Sequence, residues 1–385
     1  MSARASIGRA PQGDEDDWRW MRRALALARR GRGATRPNPM VGAVVVRNGR
    51  LLGEGFHRRV GEPHAEVNAL VGLTARTRGA TVYVTLEPCC HTGRTAPCTD
   101  ALIGAGVSRV VVGVRDPNPL VDGRGIARLR RAGIRVDVGC LEPACAALNL
   151  PFFVWVREGR PLVTLKVAAT LDGFIADRGA RVKTSPVWIT SAAARGAAHG
   201  LRAAHDAILI GAGTVRADDP RLTVRLPGRV GRRPPRPAPL RVILDGELRV
   251  PRGAAVFARA SGPRTLVVGA RGVATARARA LESAGAEVVL LPARAGRIDL
   301  RRVLHELARR DVQSLLVEGG ADVHAAFIAA GLVDRVAFFY APCLVGGGVP
   351  IATGAGLPIG RALRLGRMKA QAVGPDLLIC ADVLH

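Results

Sequence analysis

Four residues in one stretch of the chain could together bind a catalytic metal ion and use it. His64 and Glu66 stand two residues apart, and Cys89 and Cys98 follow them. One histidine and two cysteines can hold Zn²⁺ and leave its fourth position open for water, which is the geometry of catalytic zinc sites rather than structural ones. Zinc brings the pKa of such a water to about 7, and Glu66 is placed to carry its proton. The stretch therefore predicts hydrolytic chemistry at a zinc ion.

The elements predicted around these residues bring them to one place. Pro63 starts a helix, so His64 and Glu66 fall in its first turn rather than on opposite sides of it. Cys98 directly precedes another predicted helix, a position that lowers the pKa of a thiol and prepares the thiolate for a metal. Each of these residues, taken singly, is better explained as an ordinary surface or core residue than as part of a metal site. Together, His-x-Glu followed by Pro-Cys is typical of zinc-dependent base deaminases.

Length and composition predict a globular protein with two domains. The chain has 385 residues, more than one ordinary core accommodates. We expect a disordered tail at 1–17, a zinc-dependent deaminase domain at 18–157 and a second domain at 158–385. No apolar run approaches the ~18 residues that span a bilayer, and the N-terminus lacks the apolar region of a secretion signal. Seven cysteines without such a signal predict no disulfide framework and a cytoplasmic location.

The net charge of +26 allows two interpretations. Clustered basic residues supply the salt-dependent part of nucleic-acid binding. However, only three of the 57 Lys and Arg residues are Lys, and the Arg residues are scattered through predicted helices and loops. No basic platform interleaved with aromatic residues, as single strands require, is present in the sequence. The pattern favours solvated Arg surfaces and a phosphorylated small-molecule substrate, and it predicts no nucleic-acid or membrane partner.

Both halves of the chain are expected to have α/β folds. In the first half, Asn48-Gly49 indicates a hairpin, and strands then alternate with helices, which predicts a three-layer α/β/α domain. In the second half, the predicted strand Ser314–Val317 ends in Gly319-Gly320 and opens a helix. This junction is either a tight turn or a pyrophosphate site made of backbone N–H groups.

The segment from Thr85 to Cys98 closely resembles the family of bifunctional riboflavin-biosynthesis deaminase/reductases. Base deaminases generally have Cys-x-x-Cys, whereas eight residues separate Cys89 from Cys98 here. The resemblance covers residues 18–383, with Cys90 standing where the family usually has Ser and Ala96 where it has Pro. It implies a cytidine-deaminase-like first domain and a dihydrofolate-reductase-like second domain. It also implies deamination of a phosphoribosylated diaminopyrimidine, followed by reduction of the ribosyl group to ribityl with NADPH.

The resemblance also implies roles for individual residues. His64, Cys89 and Cys98 correspond to the zinc ligands and Glu66 to the proton shuttle. Substrate contacts are implied for Asn38, His91 and Arg94 in the first domain, and for Lys166, Arg202, Leu222, Arg225 and Glu318 in the second. Contacts to NADPH are implied for Ala168, Trp188, Thr214 and Asp218, and for Gly320, Ala321, Asp322, Val323, His324, Ala325 and Ala326. The spacing before Trp188 is a few residues longer than the family's, so we assign no ligand contact at Ser185 or Pro186.

We expect the deaminase/reductase to form a homo-oligomer. Two other functions remain open at this point. The first is a tRNA or nucleoside deaminase with a non-catalytic second domain, which the charge favours but the long gap between the cysteines disfavours. The second is a zinc-stabilised nucleic-acid-binding protein, which requires a fourth protein ligand. The sequence offers no clearly placed Cys or His for that position.

Overall fold

The structure is a computed structural model that describes residues 14–93, 96–177, 188–226, 238–258, 264–294 and 297–384. The chain divides into two compact units, of which the first ends at Glu158 and the second begins at Gly159. Both are mixed α/β, as predicted. Arg94, Ser185 and Pro186 lie outside the described residues, as does most of the expected tail.

The first unit is a three-layer α/β/α structure around one sheet. Its elements are α1 (Glu15–Ala28), β1 (Gly42–Arg47), β2 (Arg50–Phe56), α2 (Ala65–Leu70), β3 (Thr81–Leu86), α3 (Cys98–Gly104), β4 (Arg109–Val114), α4 (Arg124–Arg131), β5 (Arg135–Val138), α5 (Glu142–Leu148) and α6 (Leu150–Glu158). Among the described residues the strand order is β2-β1-β3-β4-β5, with β3, β4 and β5 parallel. Alternate residues of β1 belong to different cores, since Val45 packs in one cluster and Val44 and Val46 in another. Both faces of the sheet are therefore covered.

The first helix begins earlier than the sequence predicted. We expected a helix from Trp18 capped by Asp16 or Asp17, but α1 starts at Glu15 and its cap is Asp14, which accepts a hydrogen bond from the backbone N–H of Asp17. Residues 15–17, placed by the sequence in the tail, are helical. Asp17 is buried, and its carboxylate accepts two hydrogen bonds from Arg109 at 2.8 Å and one from Tyr83 at 2.9 Å. These bonds compensate the cost of burying its charge. These partners lie on β4 and β3, so the start of α1 is fixed by the sheet.

The second unit has one large sheet among its described residues. Its elements are β6 (Leu162–Thr170), β7 (Phe174–Ala176), α7 (Ala192–Ala204), β8 (Ala207–Gly211), α8 (Ala212–Asp218), β9 (Leu240–Leu244), β10 (Thr265–Ala270), α9 (Thr275–Ser283), β11 (Glu287–Leu291), β12 (Ala293–Arg294), β13 (Arg297–Ile298), α10 (Leu300–Ala308), β14 (Ser314–Val317), α11 (Ala321–Ala329), β15 (Arg335–Ala341), β16 (Val349–Pro350), β17 (Arg364–Leu365), β18 (Lys369–Val373) and β19 (Asp376–Leu384). The order is β11-β10-β9-β8-β14-β6-β15-β19-β17, with β18 also paired to β19. The strands from β11 to β15 are parallel, and β19 is antiparallel to β15.

The parallel strands bring the ends of distant segments to one edge of the sheet. β8 and β14 are neighbours and run in the same direction, so Gly211, Glu318 and Gly319 all lie where these two strands end. This edge, outside the carboxyl ends of the strands, is where open α/β sheets bind ligands. In the described parts of the chain, we find no helix with both the length and the apolar character needed to cross a membrane.

Candidate active sites

The structure brings His64, Cys89 and Cys98 together in the first unit. Their ligand atoms all lie within 4.8 Å of one another. His64 Nδ1 is 3.2 Å from the sulfur of Cys98 and 3.6 Å from that of Cys89. His64 immediately precedes α2, Cys98 is the first residue of α3, and Cys89 lies in the loop after β3. One nitrogen and two sulfurs at this separation suit a tetrahedral zinc ion with one open position.

The electrostatics of the cluster also suit a cation. A hydrogen bond with Cys98 is the largest cause that holds the pKa of Cys89 well below that of a free thiol, and contact with His64 adds to it. The backbone N–H of Cys98 also donates to the sulfur of Cys89 at 3.3 Å. A thiolate is the form of cysteine that binds metals. The pKa of Cys98 is raised instead, first by its hydrogen bond with Cys89 and then by burial, so the lowering expected from its place at the start of a helix is outweighed.

Glu66 lies in the first turn of α2 and is buried beside the three ligands. Its pKa is raised to about 7, mainly by burial and also by the nearby charge of Cys89, against the opposite effect of His64. A carboxyl group with a pKa near the working pH can both take and give a proton. The geometry therefore suits the proton-shuttle role predicted for Glu66.

A cavity of about 380 Å³ opens over this cluster. The predicted substrate contacts Asn38 and His91 both line it. The polar side chains around it are those of Asn38, His57, Glu62, His64, Glu66, Glu87, Cys89, His91, Asp116 and Asn118, and the apolar ones include Val121, Phe152 and Trp155. The volume is in the range of small-molecule sites.

His57 is a residue of this cavity that the sequence analysis missed. It is buried, and its Nδ1 lies 3.3 Å from the carbonyl oxygen of Pro63. A carbonyl can only accept, so Nδ1 carries the hydrogen and Nε2 is left as an acceptor. Nε2 lies 3.2 Å from the side-chain nitrogen of Asn38, which donates to it. The amide oxygen of Asn38 and the second N–H of its amide nitrogen are therefore left to meet a ligand.

Two buried carboxyls at the ends of β3 and β4 were also missed. Glu87 accepts hydrogen bonds from the backbone N–H groups of Asp116, Gly123 and Ile126, at 3.3, 2.9 and 3.1 Å. It thereby fixes the loop after β4 and the start of α4 to the loop that carries Cys89. Burial raises the pKa of Asp116 to about 7, opposed by a hydrogen bond from the backbone of Asn118. The sequence signal was an acidic residue within two positions of the end of each buried strand.

In the second unit, three of the predicted substrate contacts form a buried charged group. Arg202 donates from Nε and Nη2 to the two carboxylate oxygens of Glu318 at 2.7 and 2.8 Å, and Lys166 Nζ lies 3.9 Å from that carboxylate. Burial raises the pKa of Glu318, but the charges of Arg202 and Lys166 outweigh this and bring it to about 2. Glu318 is therefore ionised, and the Nε–H and one Nη2–H of Arg202 are already bonded to its carboxylate.

Val323, a predicted contact to NADPH, packs into a cradle formed by two glycines, where side chains on those glycines would clash with it. A Cβ atom on Gly319 would lie 2.6 Å from Cβ of Val323, and one on Gly211 would lie 2.8 Å from Cγ2 of the same residue. The glycines therefore let α11 approach the ends of β14 and β8 closely. A Cβ on Gly320 would lie 3.2 Å from the hydroxyl oxygen of Thr214, so these two predicted contacts face each other.

His324 adds a buried acceptor to this region. Its Nδ1 lies 2.8 Å from the carbonyl oxygen of Ile351, while its buried Nε2 has no hydrogen-bond partner within the described part of the chain. The free N–H groups at the start of α11 fit the pyrophosphate of a dinucleotide cofactor, while the buried Nε2 of His324 can accept a hydrogen bond from a hydroxyl group of such a ligand.

The other predicted contacts of the second unit are less clearly grouped. Ala168 is half-buried on β6, and Asp218 is exposed at the end of α8. Trp188 is 62% exposed, with the Arg195 guanidinium 4.7 Å from its ring. Leu222 is buried, and Arg225 is exposed two residues after the Thr223 carbonyl that accepts from Arg202.

Comparison with known proteins identifies relatives for both units. A family model described as the cytidine and deoxycytidylate deaminase zinc-binding region matches residues 14–114, and one described as the RibD C-terminal domain matches residues 161–379. The riboflavin biosynthesis protein RibD of Aquifex aeolicus is 42% identical over 365 residues, which cover 95% of this chain and 98% of that protein.

Two solved structures also match nearly the whole length of this chain. Acinetobacter baumannii RibD is 36% identical, with a TM-score of 0.83 over 96% of this chain and 99% of that one. A Thermotoga maritima protein is also 36% identical, with a TM-score of 0.80 over the same shares. It is described as a diaminohydroxyphosphoribosylaminopyrimidine deaminase/5-amino-6-(5-phosphoribosylamino)uracil reductase.

Proposed function

The chain belongs to the RibD family of riboflavin-biosynthesis deaminase/reductases, with a zinc-binding deaminase domain and an NADPH-dependent type of reductase domain, and from this premise we propose its two reactions. The first unit hydrolyses the 2-amino group of 2,5-diamino-6-(5-phosphoribosylamino)pyrimidin-4(3H)-one and releases ammonia. The second unit then reduces the phosphoribosyl side chain of the product to ribityl with NADPH. The substrate and product names of the Thermotoga relative support this assignment.

The observation that carries the first reaction is the buried Glu66 beside His64, Cys89 and Cys98 at one cavity. Zinc, when bound by these three residues, supplies Lewis-acid activation of water. Glu66 accepts the proton that the water loses and delivers it to the leaving amino group, so that the amine departs as ammonia. Asn38 presents its amide oxygen to an N–H of the pyrimidine, while one N–H of its amide nitrogen is engaged by His57.

Replacing Glu66 by Gln tests this reaction. The change removes the proton carrier but keeps the shape of the side chain, so we expect ammonia release to fall by at least ~10²-fold, as for other general acid–base groups. Zinc content, measured by atomic absorption, is expected to stay at the parent level. Ammonia release at the parent rate would contradict the proton-shuttle role.

In the reductase unit, the ion pair of Arg202 and Glu318 supports a polar substrate site beside Lys166. NADPH supplies the hydride when bound. Lys166 presents a buried ammonium group for the substrate's ribosyl oxygens, and Arg202 keeps the N–H groups not used by Glu318 and Thr223 for the phosphate. Arg225 supplies the second guanidinium.

Arg202→Ala tests the phosphate contact. We expect the KM for the phosphorylated substrate to rise by ~10-fold or more, because a charge-assisted hydrogen bond is lost. The KM for NADPH and the rate of ammonia release serve as controls and are expected to stay unchanged. An unchanged substrate KM would remove Arg202 from the phosphate site.

We also propose a homo-oligomer in the cytoplasm, acting on small molecules without a nucleic-acid or membrane partner. Large apolar side chains are exposed on the last part of the second unit, with Leu344 at 70% and Ile359 at 85%. Contiguous exposed apolar surface marks association sites, and we propose that these side chains contribute to one. The described cysteines are all free, which suits a reducing compartment. Sedimentation velocity tests the oligomer, since a single monomer boundary at micromolar concentration would contradict it.

A further inference from the structure

A histidine outside the predicted site contacts the segment Leu222–Arg225, which carries two predicted substrate contacts. His199 lies on α7 three residues before Arg202, so the two side chains share one face of the helix. His199 Nδ1 is 3.1 Å from the carbonyl oxygen of Thr223, and Arg202 Nη1 is 3.2 Å from the same oxygen. A carbonyl oxygen has two lone pairs and can accept both bonds. α7 therefore holds this segment through two side chains.

His199 has a second contact with the same segment. The backbone N–H of Arg225 points at Nδ1 from 3.3 Å. Burial lowers the pKa of His199, and the charges of Arg202 and Arg225 lower it further, so the ring is neutral near pH 7. A neutral ring either donates from Nδ1 to Thr223 or accepts there from Arg225. In both tautomers the ring is bonded to the segment Leu222–Arg225.

The segment needs such support because its backbone is strained. Leu222 has a φ of +48° although it carries a side chain, and that side chain is buried. A residue in the left-handed region costs on the order of 1–3 kcal/mol and persists where its surroundings over-determine it. The contact at the next carbonyl, that of Thr223, is one of these constraints.

We propose that His199 is a positioning residue of the reductase unit, which holds the segment Leu222–Arg225 so that the Arg225 guanidinium meets the substrate phosphate. The inference rests on the proposed function, because it requires Arg225 to contact that phosphate. Arg202 is fixed separately by Glu318. His199 therefore sets the place of the second guanidinium relative to the first.

The test compares His199→Ala, His199→Asn and His199→Gln in the full chain, with 5-amino-6-(5-phosphoribosylamino)uracil and its dephosphorylated analogue as substrates. For His199→Ala we expect the KM of the phosphorylated substrate to rise by ~10-fold, the scale of one lost hydrogen bond, with kcat little changed. The KM of the dephosphorylated analogue should not move. Asn places its amide where Nδ1 lies and should restore the KM, whereas Gln, whose amide lies farther out, should not.

Arg225→Ala and the double variant complete the experiment. If His199 acts through Arg225, the double variant has the same KM as Arg225→Ala alone. The inference is overturned if Arg225→Ala raises the KM while His199→Ala does not, or if Asn is no better than Gln. A wild-type protein that consumes no NADPH with the phosphorylated substrate would instead overturn the proposed function. Should His199→Ala fail to fold, the comparison of Asn with Gln decides alone.

Discussion

Glu66 and Glu318 are both buried carboxyls, yet their surroundings shift their pKa values in opposite directions. The pKa of Glu66 is raised to about 7 because burial and the Cys89 charge disfavour its ionised form. The pKa of Glu318 is lowered to about 2, because burial raises it but the charges of Arg202 and Lys166 lower it by more. A carboxyl of the first kind can exchange protons near neutral pH, while one of the second kind is a fixed negative charge. The two sites thus use one residue type for different tasks.

Glu318→Gln tests the role of that fixed charge. The change leaves Arg202 and Lys166 buried without their partner, and removing one member of a buried ion pair typically costs ~3–5 kcal/mol. We expect a lower free energy of unfolding for the second unit at pH 7 and a loss of NADPH consumption, with ammonia release retained. Urea unfolding followed by circular dichroism, together with both activity assays, measures this.

The pH dependence gives the control for this variant. The folded pKa of Glu318 lies below the ordinary value of 4.5, so its ionisation stabilises the fold above about pH 4.5, and that contribution is lost as the pH falls towards 2. The stability difference between parent and variant should therefore shrink on acidification. A difference that stays constant down to pH 3 would show that packing, not charge, is responsible.

At the scale of elements, the close approach of α11 to the sheet depends on glycine. Val323 on α11 sits against Gly211 at the end of β8 and Gly319 after β14, and neither glycine has a positive φ. By sequence alone, the Gly319-Gly320 pair fits either a tight turn or a pyrophosphate site. The structure adds a steric reason, because a Cβ on Gly319 would push the first turn of the helix away.

Gly319→Ala tests this packing, and Gly200→Ala is the matched control. The added methyl at Gly319 would lie 2.6 Å from Val323, whereas one at Gly200 on α7 has nothing within 4 Å. We expect Gly319→Ala to raise the KM for NADPH and lower stability by ~1–3 kcal/mol, as overpacking does. Gly200→Ala should be neutral or more stable, since Ala favours a helix interior. Equal NADPH KM values for both variants would argue against the cradle.

Elements with a strong pattern were predictable from the sequence, and those without one were not. The sequence predicts strands at Thr81–Leu86, Arg109–Val114, Ala207–Gly211 and Ser314–Val317, because each is a short apolar run flanked by turn residues. Strands β3, β4, β8 and β14 have these bounds. Helices α5 and α6 were not predicted. The α6 segment is apolar on nearly all sides, and its Pro151 lies in the first turn, so no helical period marks it. Strand β18 is largely exposed and shows no alternation.

The same limit applies to the candidate sites. His64, Glu66, Cys89 and Cys98 were found because residue type and spacing along the chain define them. His57 contacts the carbonyl oxygen of Pro63, six residues further along the chain. His199 contacts the backbone N–H of Arg225, 26 residues further along. No local pattern encodes these contacts, since they depend on how a strand end or helix face meets a loop.

For the whole molecule, the division into two units places the two chemistries on separate sets of residues. The proposed zinc ligands and Glu66 precede Glu158, and the described residues of the predicted reductase site all follow Gly159. Each unit also has its own buried cores. A cofactor of one unit is therefore expected to be dispensable for the chemistry of the other.

Metal removal tests this independence. A chelator such as dipicolinate should abolish ammonia release from the diaminopyrimidine, because the three ligands then hold no Lewis acid. NADPH consumption should persist at the parent rate when the deaminated compound, 5-amino-6-(5-phosphoribosylamino)uracil, is supplied directly. Added Zn²⁺ should restore ammonia release, and Glu66→Gln serves as the control that lacks ammonia release while keeping its metal. If NADPH consumption fell in parallel with zinc content, the metal would also be supporting the reductase unit, and the two sites could not be treated as independent.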